Sequence, residues 1–530
     1  MRWAIVLVAC WLPGSVLAAP DTVVVCPEAF REALGPWIKH RTEQGHRIAL
    51  VSNLKSAPQI RAQIREIAKG KALRYIVLVG DADPAMKDRR DIRARCVPTH
   101  YAKAKVNILW GSEPEIATDN WYADLNDDVV PDVAIGRLTA DSPAELSRIV
   151  EKILTYERSA NFGPWRRRIH FVAGVGGFGK VADAVLEMGA RKLITDGVPA
   201  PFSTTMTYGS WRSPYCPDPR RFHQTTLDRL NDGSLFWVYI GHGHKRTLDR
   251  VRVPGNTHHI FDTRDVAKLD CANGSPIAIF LACYTGAFDA KSDCLAEEML
   301  RRKGGPVAVV SGSRVTMPYA MSMMGTAMLD EVFLRRRKTL GEVVLHAKRS
   351  MVRPQGFSTR RLMLDMLAKT ISPKDTDLAE ERKEHLHLFN LIGDPLLRLR
   401  HPEPIKVDVA GTATAGSELR VSGRCAIDGR CTLELVVRRD RLTFKPAGRP
   451  TFDATGEKLA AYQDVYRRAN DHRLMHCAVP LVDGKFEKTI RIPDAARGAC
   501  HIRVFVEGEA GYAVGAANVR IKQPRPLKKQ

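Results

Sequence analysis

The chain reads as an α/β protein: two successive doubly wound α/β units followed by an antiparallel β-sandwich. Three observations predict this. Apolar runs of strand length alternate with helical patterns from about 21 to 160, and a second such series fills 161–400. The runs stop at small residues, as buried strands do at the edge of a parallel sheet. After Arg400 the texture changes to short alternating runs, spaced as in an immunoglobulin-like β-sandwich.

The first segment stands outside this fold. Met1-Arg-Trp-Ala-Ile-Val-Leu-Val and then Pro13-Gly-Ser-Val16-Leu-Ala18 supply one positive charge, a short apolar core and a small-residue cleavage site. Together these read as a secretory signal peptide over 1–18, cut after Ala18. A lipoprotein signal ending at Cys10 is the alternative, but so early a cysteine leaves little hydrophobic core. No later run has the roughly 18 apolar residues that a membrane span needs. The expected location is therefore secreted, periplasmic or cell surface, with no transmembrane segment.

In the N-terminal α/β unit (19–160), Thr22-Val-Val-Val25 predicts a strand and 27–44 a helix closing near Gly45. Arg47-Ile-Ala-Leu-Val51 is a second strand, 57–69 a helix, and Tyr75-Ile-Val-Leu-Val79 a strand running into Gly80-Asp81. The second unit (161–400) begins with the strand Ile169-His-Phe-Val-Ala173 and a helix at 181–195. Its strands continue as Phe236-Trp-Val-Tyr-Ile240, Pro276-Ile-Ala-Ile-Phe-Leu281 and Pro306-Val-Ala-Val-Val310, with helices following through about 370. His401-Pro-Glu-Pro404 is a linker, 405–522 the sandwich, and 523–530 a basic tail.

The formal charge of +22 is spread along the chain. No helix-turn-helix, zinc-finger or base-stacking signature accompanies it, so specific nucleic-acid recognition is excluded as a reading. For an exported protein, association with anionic cell surfaces fits better. Of 11 cysteines, Cys425, Cys431, Cys477 and Cys500 fall in the last quarter. An oxidising compartment predicts disulfides among them, with Cys425–Cys431 and Cys477–Cys500 the first of three connectivities.

Chemistry concentrates at two strand ends, Tyr239-Ile-Gly-His242-Gly243-His244 and Phe280-Leu-Ala282-Cys283-Tyr-Thr-Gly286. A histidine and a cysteine delivered there suit a thiol nucleophile and its base. Against this stands the reading of Cys283 as a small buried hydrophobe. The small neighbours Ala282 and Gly286, and the matching strand end at His242, weigh for chemistry. Two other patterns carry less. Gly174-Val-Gly-Gly-Phe-Gly179-Lys180 matches a phosphate-binding loop until Val181, where Ser or Thr should hold magnesium. Asp124, Asn126, Asp128 and Asp132 stand at positions 1, 3, 5 and 9 of a calcium loop, but Val129 replaces the turn glycine and Ile135 the closing glutamate. Calcium there competes with a plain acidic turn.

Four blocks in order resemble the gingipain family of cysteine peptidases, in the caspase-like clan CD. They are the Asp-rich Thr118–Asp132 stretch before Gly136-Arg137, the His242-Gly243 and Ala282-Cys283 strand ends, and Asn390-Leu-Ile-Gly393-Asp394-Pro395. The resemblance is piecewise over roughly 22–400. It implies a caspase-like α/β fold and a cysteine endopeptidase acting on proteins or peptides, with no cofactor required for the chemistry. Cys283 would attack as thiolate and His242, rather than His244, would serve as acid–base. The N–H groups of Gly243 and Cys283 would hold the oxyanion. The carboxylate that orients the histidine should precede it in the chain. There the sequence departs from the pattern, with glycines around 174–179, and Asp183 is the candidate against a solvated first-turn residue. Asp289 and Asp293 are candidates for a substrate-binding acid by proximity alone. A catalytically inactive surface or binding protein on this scaffold and a sortase-like transpeptidase are the alternatives.

Overall fold

In a computed structural model describing residues 19–175, 194–353, 359–371 and 377–524, the two α/β series meet in a single ten-stranded sheet. Its strands are β1 (Thr22–Cys26), β2 (Ile48–Ser52), β3 (Tyr75–Val79), β6 (Ala134–Leu138), β7 (Arg168–Ala173), β8 (Ser203–Tyr208), β9 (Phe236–Ile240), β12 (Ile277–Leu281), β13 (Ala308–Gly312) and β14 (Phe389–Ile392). Two hairpins stand off it, β4 (His100–Lys103) with β5 (Glu115–Thr118), and β10 (Arg250–Val253) with β11 (Asn256–His259). The order is β2-β1-β3-β6-β14-β13-β12-β9-β7-β8. Helices cover both faces, so β1, β3, β12 and β13 are buried from end to end. That is why these segments read as continuous apolar runs rather than alternating ones.

The seam between the halves is β14. It runs parallel to β6, where Ile392 pairs with Arg137, and antiparallel to β13, where Phe389 pairs with Gly312. The five strands on one side therefore point opposite to the five on the other. Buried ion pairs lock this seam. Fully buried Arg41 bonds Asp394 at 2.6 Å and Glu157 at 2.9 Å, and Trp37 Nε1 donates to Asp394 at 2.5 Å. Fully buried Arg137 makes a two-pronged contact with Asp119, both bonds 2.7 Å. Such planar pairing satisfies both ions where either alone would be costly to bury.

The C-terminal unit is a sandwich with its own core, including Val421, Leu433, Leu435, Ile492, Ile502 and Val506. One sheet holds β15 (Glu403–Pro404), β23 (Tyr512–Lys522), β22 (Gly498–Glu507), β19 (Arg430–Val437) and β20 (Arg473–Val479), with β17 (Thr412–Thr414) also on β23. The other holds β16 (Lys406–Val409), β18 (Glu418–Arg424) and β21 (Lys485–Arg491). Its alternating burial at Leu419, Val421 and Gly423 is the period-2 signature that the sequence displayed.

Two features were not anticipated. A helix, Gly456–Asn470, is inserted between β19 and β20 and packs on β8 of the large sheet. Asn470 there takes the N–H of Met206 at 2.7 Å and donates to its C=O at 3.0 Å. The second is a correction. Cys477 sits opposite Leu433 on β20, while Cys500 sits opposite Val437 on β22, the strand on the other side of β19. Two strand spacings of about 4.8 Å separate them, beyond the ~7 Å Cα reach of a disulfide. All four sandwich cysteines are free thiols. The signal segment, residues 181–193 of the expected 181–195 helix and the end of the basic tail lie outside the described residues.

Candidate active site

Strands β7, β9 and β12 are parallel neighbours whose ends are level, since Ile240 pairs with Ala173 on one side and Leu281 on the other. Each is followed by a small residue, Gly174, Gly241 and Ala282. Loops leaving such ends can approach closely. At Gly243 they do so to the limit: a Cβ there would lie 2.7 Å from the carbonyl oxygen of Cys283, 2.8 Å from Thr285 Cγ2 and 3.1 Å from Ala282 Cβ. Only glycine fits. The histidine loop thus rests on the backbone of the nucleophile candidate itself, bringing His242 and Cys283 to one place.

Cys283 is half-buried, and the N–H of Thr316 donates to its sulfur at 3.3 Å. A donor aimed at sulfur stabilises negative charge there. The residue after it, Tyr284, has φ of +56°, a strained value for a bulky side chain, and Thr285 N–H closes back on the Cys283 carbonyl at 2.7 Å. Burial pushes the thiols of Cys26, Cys96, Cys216 and Cys271 up to about 12. Those are inert packing residues.

His242 is half-buried, and His244 is exposed at the tip of the loop, where its N–H bonds Thr247. The His242 carbonyl accepts two bonds, from the Tyr239 hydroxyl at 2.8 Å and from the Asp249 N–H at 3.2 Å. Sequence reasoning missed several supports. Thr316 belongs to a loop pinned by His385, whose Nε2 accepts the Met317 N–H at 3.0 Å while Nδ1 donates to the Glu381 carbonyl at 2.7 Å. Burial holds His385 neutral, lowering it to about 4. The small Ser311-Gly312-Ser313 run at the end of β13 was the available signal for that loop.

Asp183, with the Gly-rich motif from Gly176 onward, lies outside the described residues. Asp289 and Asp293 are both ion-paired. Asp289 is held by both Nη atoms of Arg314, at 2.8 and 2.6 Å, and Asp293 by Arg301 at 2.6 Å. The acidic loop spends its oxygens on its own amides. Asp124 accepts from Asp127 and Val129, Asn126 from Asp128, Asp128 from Val130 and Asp132 from Leu125; Arg61 lies 3.6 Å from Asp124 and Arg353 contacts Asp128. Among the described residues, the clusters that bring three metal-ligating atoms within 4.8 Å are elsewhere: His259 with Asp262 and Asp265, and Asp81 with Asp293 and Glu297. In the first, Asp265 already bonds His259, Lys268 and the Asp262 N–H. Of the four sequence blocks, then, His242-Gly243 and Ala282-Cys283 build the site. The Asp119–Arg137 and Asp394–Arg41 pairs build the seam.

A sequence profile described as peptidase family C25 matches residues 15–400. Gingipain R2 of Porphyromonas gingivalis is 23% identical over 405 residues, covering 74% of this chain and 47% of that protein. Gingipain R1 of the same organism is 23% identical over 422 residues, covering 77% of this chain and 37% of that protein. The chain thus spans about half or less of the length of these relatives. The crystal structure of the Arg-specific cysteine proteinase gingipain R superposes with a TM-score of 0.53 at 17% identity, covering 97% of this chain and all of that one. That likeness supports the fold, including the C-terminal sandwich. No described helix is long and apolar enough to cross a membrane. With its profile match spanning the whole α/β region and the two strand ends in contact, the chain belongs to peptidase family C25.

Proposed function

We propose that the chain is an exported cysteine endopeptidase cleaving proteins or peptides. The observation that carries this reading is the close packing of Gly243 on the Cys283 backbone. Cys283 gives its proton to His242, and its sulfur pair forms a C–S bond to the scissile carbonyl carbon while the carbonyl π pair moves to oxygen. The N–H groups of Gly243 and Cys283 hold that oxyanion. The pair returns, the C–N bond breaks, and His242 protonates the leaving amine. Water then attacks the thioester, gives its proton to His242, and the C–S bond breaks to restore the thiol. Every step uses side chains and backbone groups of this chain. Export rests on the 1–18 segment.

The test is turnover of a peptide library by the chain lacking residues 1–18, with Cys283→Ala as control. The expected result is hydrolysis that the substitution abolishes. Products joined to an added amine instead of water would favour transpeptidation. A wild-type chain with neither turnover nor labelling by an electrophilic thiol probe at Cys283 would overturn the enzyme reading and leave an inactive scaffold.

A further inference from the structure

We infer that His385 and Asn107 are positioning residues for the nucleophile: they orient the two peptide units that meet at Thr316, and Thr316 sets how readily Cys283 ionises. This deepens the peptidase reading and rests on it. Thr316 serves the sulfur in both of its states. Its carbonyl lies 3.5 Å from Cys283 Sγ and accepts from the thiol S–H. Its N–H at 3.3 Å and its hydroxyl at 3.7 Å donate to the thiolate. A donor aimed at the charged form favours that form, so the thiol gives up its proton more readily.

The aim of those two backbone groups is fixed from their far sides. A trans peptide unit is planar, with its N–H and C=O pointing in opposite directions. The unit between Val315 and Thr316 carries the N–H that meets the sulfur, and its carbonyl accepts from Asn107 Nδ2 at 3.3 Å. The unit between Thr316 and Met317 carries the carbonyl that meets the thiol, and its N–H donates to His385 Nε2 at 3.0 Å. His385 can accept there because its Nδ1 keeps the ring proton on the Glu381 carbonyl, at 2.7 Å. One face of the helix Leu378–Leu388, presenting Glu381, Glu384 and His385, governs both units. Glu384 accepts the N–H groups of Lys105, Val106 and Asn107 at 2.5, 2.8 and 2.6 Å, and Glu381 accepts that of Ala320 at 3.2 Å. His385 and Asn107 are fully buried, and their influence on the sulfur passes through the Thr316 backbone.

The experiment compares His385→Leu, His385→Gln and Asn107→Leu with wild type, in the chain lacking residues 1–18. Alkylation of Cys283 by iodoacetamide is followed by mass spectrometry from pH 4 to 10, with thermal midpoints as the fold control. Leucine keeps the bulk and removes the bonding atoms. Both leucine variants should raise the midpoint of the alkylation profile by about half to one pH unit, because the donor to the thiolate is no longer held in place. Their alkaline plateaus should stay within about twofold of wild type, since the sulfur remains in reach. Turnover of a peptide taken from the library screen should fall with the thiolate fraction, by up to about tenfold. His385→Gln offers an amide oxygen to the Met317 N–H and should return the midpoint to within ~0.2 unit of wild type. An unmoved midpoint in either leucine variant, or a glutamine variant shifted as far as His385→Leu, would overturn the assignment. So would an equal shift in Leu433→Ala, a sandwich-core substitution remote from Thr316, because that marks general loosening. If the wild-type chain neither cleaves peptide nor alkylates at Cys283 faster than at its other thiols, the peptidase reading has failed first and this inference falls with it.

Discussion

Strands β3 and β12 end in nearly the same way and do opposite things. Val79-Gly80-Asp81 and Leu281-Ala282-Cys283 each bring a buried parallel strand to a small residue and then an ionisable one. At the first end everything is filled. Arg137 donates to the carbonyls of Gly80 and Asp81, at 3.1 and 3.3 Å, and the Asp81 carboxyl shares a buried acidic corner with Glu297. Arg301 closes that corner, bonding Asp293 at 2.6 Å and Asp141 at 2.9 Å. At the second end the reactive group stays half-exposed, bonded by Thr316 through its N–H at 3.3 Å, its hydroxyl at 3.7 Å and its carbonyl at 3.5 Å. The difference lies in what neighbouring segments supply. The segment after Cys283 carries Asp293, Glu297 and Arg301 across to plug the other half, and leaves its own strand end open.

The comparison breaks most visibly if a plug residue is removed. Arg137→Ala strands Asp119 as a buried uncompensated charge, and a loss of about 3–5 kcal/mol is expected. Calorimetry should register it as a large fall in thermal midpoint, while Cys283→Ala, at the open end, should leave the midpoint within a degree or so. Equal behaviour of the two would dissolve the contrast.

A second test uses acidity. Burial holds the Asp81 carboxyl up at about 6 and drives Glu297 in the same direction. A raised carboxyl makes the folded chain bind the proton more tightly than the unfolded chain does. Stability from this corner is therefore full below pH 4 and lost as pH rises to about 6. Asp81→Asn keeps the acceptor for the Ala82 N–H and can donate to Glu297 without a proton from solvent. It should stabilise the chain at pH 7 by on the order of 2 kcal/mol and by nothing at pH 4. Denaturant midpoints at the two pH values decide it.

The smallest effect sharpens the open end. Tyr239→Phe deletes one of two donors to the His242 carbonyl, and the Asp249 N–H remains. A bond worth about 0.5–1.5 kcal/mol predicts a loss in kcat/KM of roughly twofold to tenfold. A hundredfold loss would mean that the hydroxyl acts directly on the chemistry.

Much of this organisation was legible in residue order. Continuous apolar runs marked strands buried on both faces, and small residues after them marked the working edge. Cys283, His242 and Gly243 were therefore readable, because each belongs to a strand-end pattern. The supports of that site were not: the Thr316 N–H on the Cys283 sulfur and the His385 ring behind Met317 come from distant segments, and such contacts are set by tertiary pairing rather than by spacing along the chain. The single sheet was hidden for a related reason: β14 is four residues long and joins the halves through one pair with β6. The Gly456–Asn470 helix did carry an apolar face, at Leu459, Tyr462, Tyr466 and Ala469. It was overlooked among the alternating runs on either side of it.

That helix also decides how far the large sheet can grow. β8 is a terminal strand, and the free amides and carbonyls of such an edge are a template for a strand from another molecule. Asn470 occupies the Met206 position of that template with both its donor and its acceptor, and Tyr466 bonds Thr207 beside it at 2.8 Å. The helix inserted in the sandwich thus covers that part of the border. A chain cut after Arg400 would keep every residue of the proposed active site and expose an adhesive border that the full-length chain conceals.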